Sequence, residues 1–181
     1  NILLMLGNHD MDRIADVVKD QDPRRVKLAY TLLATMRGIP QVFYGDEYAM
    51  KSADRNLGHS TLRMPLPLGE EVTAEMQDMF DYQSRLFQWR KGEEVIHTGK
   101  TMHFMSRDNT YGFFRYNDSE AVFVFANAST DSRTIPTANY AEILGKYNPV
   151  GVDVITGKTY DLSQKDIVVE PLSSIVVKLQ K

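Results

Sequence analysis

The hydrophobic period changes once along this chain, near Gly99, and that change limits what the chain can fold into. Before it, apolar residues come in short unbroken runs or recur at helical spacing. After it, they alternate over short stretches separated by turn residues. A chain of 181 residues has room for one large domain or two small ones. The change in period divides it into an α/β part, residues 1–98, and an antiparallel β part, residues 99–181.

In the first part, Ile2-Leu3-Leu4-Met5-Leu6 reads as a strand buried on both faces, as in a parallel sheet. Asp22 before Pro23 is a helix start: a capping carboxylate, then a residue whose missing N–H costs nothing in the first turn. Val26, Tyr30 and Leu33, with Ala29, Leu32 and Met36, form an apolar stripe, and Gly38 with Pro40 ends the helix. Gln41-Val42-Phe43-Tyr44 reads as a second buried strand, left through Gly45-Asp46-Glu47. Strand, crossover helix and strand make a right-handed parallel unit. Residues 48–72 are a long loop, which in a compact domain is a place for function or for disorder. Thr73 caps a third helix with Met76, Met79, Phe80, Gln83, Leu86 and Phe87 on one face, and Gly92 ends it.

In the second part, residues 101–106, 111–116, 121–127, 151–155 and 174–180 are short β-rich runs. Asp108-Asn109, Asn117-Asp118 and Thr156-Gly157-Lys158 are the turns between some of them. Val122-Phe123-Val124-Phe125 is apolar on both faces and belongs at the centre of a sheet. The expected fold of this half is a small antiparallel β-sandwich.

Net charge is −3, so neither a nucleic-acid backbone nor an anionic membrane surface is implied as a partner. No apolar run is long enough to span a bilayer. With no cysteine, disulfides, thiolate metal sites and a Cys nucleophile are excluded, which fits cytoplasm or periplasm alike.

Gly7-Asn8-His9-Asp10 follows the first strand at its C-terminal end, where α/β proteins place their chemistry. Two chemistries use such a set. In calcineurin-like metallophosphoesterases Asn and His bind a two-metal centre. That reading needs a downstream Gly-His-x-His, and Gly58-His59-Ser60-Thr61 lacks its second His, while His97 and His103 stand alone. Asp46 and Glu47 are adjacent and point to opposite sides of a strand exit, so structural roles suit them better than a shared catalytic one. Packing is the favoured role for most of Tyr111, Tyr116 and Tyr160, with stacking on a ring-shaped ligand as the alternative.

Residues 4–10, Leu-Met-Leu-Gly-Asn-His-Asp, resemble the seventh barrel strand of the α-amylase family of glycoside hydrolases. Residues 38–47, Gly-Ile-Pro-Gln-Val-Phe-Tyr-Gly-Asp-Glu, resemble its eighth strand and exit. Residues 153–158 and 171–175 are similar to parts of its C-terminal β domain, and the nearest branch is that of neopullulanase and cyclomaltodextrinase. The resemblance implies α/β plus all-β architecture: the last two βα units of a (β/α)8 barrel in residues 1–98, then a C-terminal β-sandwich in residues 99–181. It implies a retaining α-glycosidase acting on starch, pullulan or cyclodextrin, of which this chain is a fragment without nucleophile and acid. Asp10 matches the transition-state-stabilising carboxylate, and His9, Asn8 and Arg13 the substrate contacts. Asp54-Arg55-Asn56-Leu57 departs from the family's Asp-Pro-x-Asn-Arg. No cofactor is required by the resemblance; calcium and homo-oligomerisation in the parent stay open. The partner it implies is an α-glucan oligosaccharide or polysaccharide, and a polysaccharide-degrading parent favours a periplasmic or extracellular location. The alternative of a different class is a carbohydrate-binding or interaction module without catalysis.

Overall fold

Strand β1 (Leu3–Met5) pairs in parallel with β2 (Ile39–Gln41), Leu3 opposite Ile39 and Met5 opposite Gln41. The short helix α1 (Ile14–Val17) and the long helix α2 (Pro23–Thr35) lie between them in the chain, which makes the expected strand–helix–strand unit. The computed structural model describes residues 2–181. It divides into two units, one running to Ala34 and from Gly38 to Phe87, the other comprising Thr35–Arg37 and Gln88–Lys181.

In the first unit, α2 begins at Pro23 as expected, and the Asp22 carboxylate accepts the Arg24 N–H at 2.9 Å. Val26, Tyr30 and Leu33 of α2 pack with Ala15 and with Met79 of helix α3 (Ala74–Lys91). The Thr73 hydroxyl caps α3 by accepting the Met76 N–H at 3.3 Å. Between β2 and α3 the chain makes 3-10 turns at Asp46–Tyr48, Arg55–Leu62 and Gly69–Glu71.

Two expectations for this unit need correction. The second strand lies earlier than Gln41–Tyr44, because the backbone of residues 43 and 44 is committed elsewhere. The Phe43 carbonyl accepts the Asp46 N–H at 3.1 Å, and the Tyr44 carbonyl accepts the Arg13 guanidinium at 2.9 Å. Gly38 makes the earlier register available: it holds φ +144°, and a Cβ there would stand 2.8 Å from the Ile2 carbonyl oxygen. Nor is β1 buried on both faces: Leu3 is 50% exposed, and Ile39 beside it 51%. Each strand has one partner in this two-stranded sheet, so only the side carrying Leu4 packs on the α2–α3 core.

The second unit holds a six-stranded antiparallel sheet in the order β3-β4-β5-β10-β7-β8. Its strands are β3 (Lys100–His103), β4 (Thr110–Tyr116), β5 (Glu120–Asn127), β7 (Val150–Asp153), β8 (Thr159–Asp161) and β10 (Ser173–Gln180). The strands β6 (Arg133–Thr134) and β9 (Val168–Val169) pair separately. As its sequence requires, β5 is central: it pairs over its whole length with β10, from Glu120 opposite Gln180 to Asn127 opposite Ser173. One sheet face places Phe114, Phe123, Phe125, Ile175 and Val177 against Ile135, Val169 of β9, and Tyr140 and Ile143, the latter in helix α5 (Ala141–Leu144). The second layer is thus a short strand pair with a helical turn, consistent with a β-sandwich. On the other face, Phe113, Val122, Val124 and Val176 are also fully buried. Helix α4 (Glu94–Thr98) lies against β4 and β5. Tyr116 and Tyr160 pack against the main core, which is the structural alternative to sugar stacking.

Two predictions follow from these packing relations. Gly38→Ala should cost about 1–3 kcal/mol, read as a lower urea midpoint, whereas Ala at Gly157, which holds φ +75° in open space, avoids the collision with neighbouring atoms. Lys178 is paired with Glu93 at 2.5 Å and Glu120 at 3.2 Å. Burial pulls the Lys178 ammonium down, but hydrogen bonds from it to Glu93 and Glu120 outweigh that and hold its pKa above the ordinary lysine value. Its stabilisation is therefore complete below the unfolded-state pKa and lost as pH rises through the folded one. Lys178→Met should reduce stability at neutral pH and flatten the alkaline loss, measured by urea unfolding between neutral pH and the alkaline limit.

Candidate active site

Where β1 ends, the chain enters a turn that its own polar side chains shape. The Asn8 side-chain oxygen accepts the Asp10 N–H at 2.8 Å, and the Asn8 carbonyl accepts the Met11 N–H at 3.3 Å. This Asx turn projects two side chains into solvent. His9 Nε2 lies 3.0 Å from Asp10 Oδ2, with the two side chains 60% and 64% exposed. Arg63 Nη2 lies 3.6 Å from Asp10 Oδ1. Asp10 is thus an accessible carboxylate with a basic side chain near each oxygen, and both neighbours sit where water or a ligand hydroxyl can replace them. Asn8 shapes the turn with its side-chain oxygen, and its amide nitrogen lies 3.5 Å from the Met5 sulfur.

Beneath this turn the environment is the opposite. The Arg13 side chain is completely buried. Its guanidinium donates to Asp46 Oδ1 at 2.8 Å, to the Tyr44 carbonyl at 2.9 Å and to the Leu62 carbonyl at 2.6 Å. Its Cζ also sits 4.7 Å from the Phe43 ring centroid and 5.3 Å from that of Tyr44. The expectation that Arg13 contacts substrate is therefore replaced: its charge is spent inside the protein, and it positions the turn that carries Asp10. Tyr30 donates to Asp46 Oδ2 at 3.0 Å, and Gln83 donates to the Asp46 carbonyl at 2.9 Å. Burial raises the Asp46 pKa, against the lowering effect of the Tyr30 and Arg13 hydrogen bonds. Burial, and then the neighbouring Asp46 charge, push the Tyr30 hydroxyl far above its ordinary range, so it stays a donor. Gly45 holds φ +85°, and a Cβ there would lie 2.5 Å from the Met50 sulfur and 3.2 Å from the Arg13 guanidinium. Asp46 thus has the anchoring role expected for it.

Besides the Arg13 bonds, further contacts fasten the loop after β2 to the segment after β1. Asp16 accepts the Ser52 N–H and hydroxyl at 2.9 and 2.8 Å, Arg55 pairs with Asp12 at 2.9 Å, and Arg63 approaches Asp10. Asp54, exposed, caps the 3-10 turn by accepting the Asn56 N–H at 2.9 Å. Sequence reasoning did not single out Ser52, Arg63 or Asp16; they belong to no spaced motif, and only the fold brings them together. Among the described residues, no group of three or more His, Cys, Asp or Glu could hold a metal ion. The two-metal alternative thus finds no ligand set.

A polar strand-end turn on a parallel βαβ unit, followed by an antiparallel β unit, defines the class: an α/β enzyme-type scaffold with a C-terminal β domain. Two family models match the chain. "Alpha amylase, catalytic domain" matches residues 2–135, and "Cyclo-malto-dextrinase C-terminal domain" matches residues 101–178. The chain belongs to the α-amylase family. It is 27% identical over 149 residues to a 4-alpha-glucanotransferase of Thermotoga maritima, covering 68% of this chain and 34% of that protein. It is 31% identical over 149 residues to a cyclomaltodextrin glucanotransferase of Niallia circulans, covering 77% and 19%. A cyclomaltodextrinase of Geobacillus thermopakistaniensis is 24% identical over 158 residues, covering 86% and 25%. The chain spans about a third or less of the length of these relatives. Among solved structures, AmyP in complex with maltose superposes with a TM-score of 0.79 at 18% identity, over 98% of this chain and 40% of that one. The trehalose-6-phosphate hydrolase of Bacillus licheniformis gives 0.78 at 21%, over 99% and 43%.

Removing one partner of the buried pair should be costly. Asp46→Ala leaves the Arg13 charge buried without its counter-ion, and a loss of about 3–5 kcal/mol is expected. Tyr30→Phe removes one hydrogen bond to the same carboxylate and should cost about 1–3 kcal/mol. Denaturant unfolding of the two variants side by side checks both the size and the order.

Proposed function

We propose that this chain is part of a retaining α-glycosidase acting on α-glucans such as starch, pullulan or cyclodextrins. In this reading residues 1–98 are the last two βα units of a (β/α)8 barrel and residues 99–181 its C-terminal β-sandwich. The observation that carries it is the exposed Asp10 carboxylate, beside His9, at the end of a parallel strand. The exposed Leu3 and Ile39 support the barrel, since neighbouring strands and the side chains between them would cover such residues.

Cleavage of a glycosidic bond passes through an oxocarbenium-like state, and retention needs a nucleophile and an acid about 5–5.5 Å apart. The proposal assigns both to other strands of the barrel, within the stretches of the relatives that the match leaves uncovered. Asp10 is the further carboxylate. It accepts hydroxyls of the sugar being cleaved, and its charge raises the pKa of a neighbouring acid, keeping it protonated for its task. His9 donates to the same sugar, in a bond that strengthens as the ring distorts. Asn8 sets the turn that aims both. Binding sugar exchanges the His9 and Arg63 contacts of Asp10 for sugar hydroxyls, an exchange between exposed groups with little cost.

A second reading is favoured by the names of the relatives at 27% and 31% identity, both glucanotransferases. Transfer uses the same covalent intermediate and differs only in the acceptor, a sugar hydroxyl in place of water. Product analysis by chromatography, with and without added maltose as acceptor, separates the two.

The test is Asp10→Asn in the full-length protein. The change keeps shape and removes charge, so kcat should fall by at least about 100-fold with the unfolding midpoint unchanged. An unchanged kcat would refute the assignment. The 181-residue chain alone should not cleave a nitrophenyl maltoside, because the proposal gives its nucleophile and acid to other strands.

A further inference from the structure

The β unit carries an aromatic surface that the proposed active site does not use. His103 of β3 and Tyr111 of β4 share the sheet face of Phe113, away from the main core. The planes of the two rings lie within 12° of each other, yet their centroids are 6.1 Å apart. Rings stacked face over face would be closer. Here the Tyr111 hydroxyl hydrogen-bonds His103 Nδ1, a contact between ring edges. Parallel planes joined edge to edge by a hydrogen bond lie side by side, and the pair forms one flat plate. Phe113, fully buried, packs against both rings, with centroids 6.0 Å from His103 and 5.4 Å from Tyr111. The strands pair directly, His103 opposite Phe113. His103 is exposed and Tyr111 half-buried, so solvent reaches the plate.

We propose that the His103–Tyr111 plate is a second carbohydrate-binding site, which takes a glucosyl unit of an α-glucan chain. The inference rests on the α-glucan reading of the active site for the identity of the sugar, but not for the existence of the plate. A pyranose has an apolar C–H face and a rim of hydroxyls. It needs a flat π-face for the first and polar groups in the same plane for the second. The plate supplies both: two coplanar rings, with a phenol oxygen and an imidazole at their junction. Because Phe113 and the hydrogen bond already hold the rings, binding costs little side-chain entropy. A protein partner fits less well. A stable protein interface takes about 800 Å² on each side, and the exposed large apolar residue nearest in the chain is Met105 alone.

The experiment uses the full-length protein carrying Asp10→Asn, so that turnover does not consume the probe. Its migration is compared in gels with and without soluble starch. Retardation by starch is expected, and Tyr111→Ala or His103→Ala should weaken the apparent starch affinity at least five-fold. Tyr111→Phe, which keeps the ring and loses the hydrogen bond, should give an intermediate loss. It also covers the case in which Tyr111→Ala fails to fold. In the catalytically competent protein, Tyr111→Phe should raise the apparent KM for soluble starch while leaving kcat and the KM for maltotriose unchanged. Retardation equal to that of the parent in all three plate variants would overturn the proposal, as would equal retardation by hydroxyethyl cellulose. A full-length protein that cleaves no α-glucan but is still retarded through Tyr111 would refute the active-site reading and leave the plate standing. Cleavage with no plate-dependent retardation would do the reverse.

Discussion

The first unit depends on one buried ion pair, Arg13 with Asp46. A guanidinium and a carboxylate taken out of water carry a desolvation cost that pairing alone does not reliably repay. Here further bonds are added: the Tyr44 and Leu62 carbonyls and two aromatic rings around Arg13, and the Tyr30 hydroxyl on Asp46. Through these contacts the turn after β1, the exit of β2 and the 3-10 turn at Arg55–Leu62 meet at the Arg13 guanidinium, while helix α2 joins through Tyr30 on the Asp46 carboxylate and α3 through Gln83 on the Asp46 carbonyl. Arg13 is three residues beyond Asp10, so fixing Arg13 fixes the backbone from which Asp10 projects.

Charge is divided between two layers with different work. The buried layer holds geometry and cannot exchange its partners without breaking the fold. In the exposed layer, Asp10 meets His9 and Arg63 in high dielectric, where contacts of this kind are weak and readily exchanged. A carboxylate that must meet substrate belongs in the second layer, on a backbone held by the first. The loop after β2 follows the same division, with Asp16–Ser52 partly buried and Arg55–Asp12 at the surface.

What the sequence made legible was local. Asp22-Pro23 and Thr73 begin their helices as read, because caps act within three residues. The β5 segment Val122–Phe125 sits at the sheet centre, because residues apolar on both faces have no other stable place. Strand geometry alone points Asp46 to an anchoring role, which its buried pair with Arg13 fulfils. The role of Arg13 was not legible. Its acceptors lie 31, 33 and 49 residues away, and nothing in its neighbours distinguishes an arginine facing sugar from one facing a buried carboxylate. The register of β2 failed for the same reason, since Arg13 takes the Tyr44 carbonyl that a longer strand would have used. The strands β6 and β9, two residues each, are too short to show a period. The flat His103–Tyr111 plate needs two strands in register before it exists.

The central claim is that Asp10, on the frame held by Arg13 and Asp46, works on the transition state rather than on the bound sugar. The most direct measurement compares two affinities in the full-length protein and its Asp10→Asn variant: that for acarbose, whose unsaturated ring is flattened like the transition state, and that for maltose. The account predicts that acarbose affinity falls in step with kcat/KM across the substitution while maltose affinity changes little. Equal losses for both ligands, or a loss confined to maltose, would contradict it.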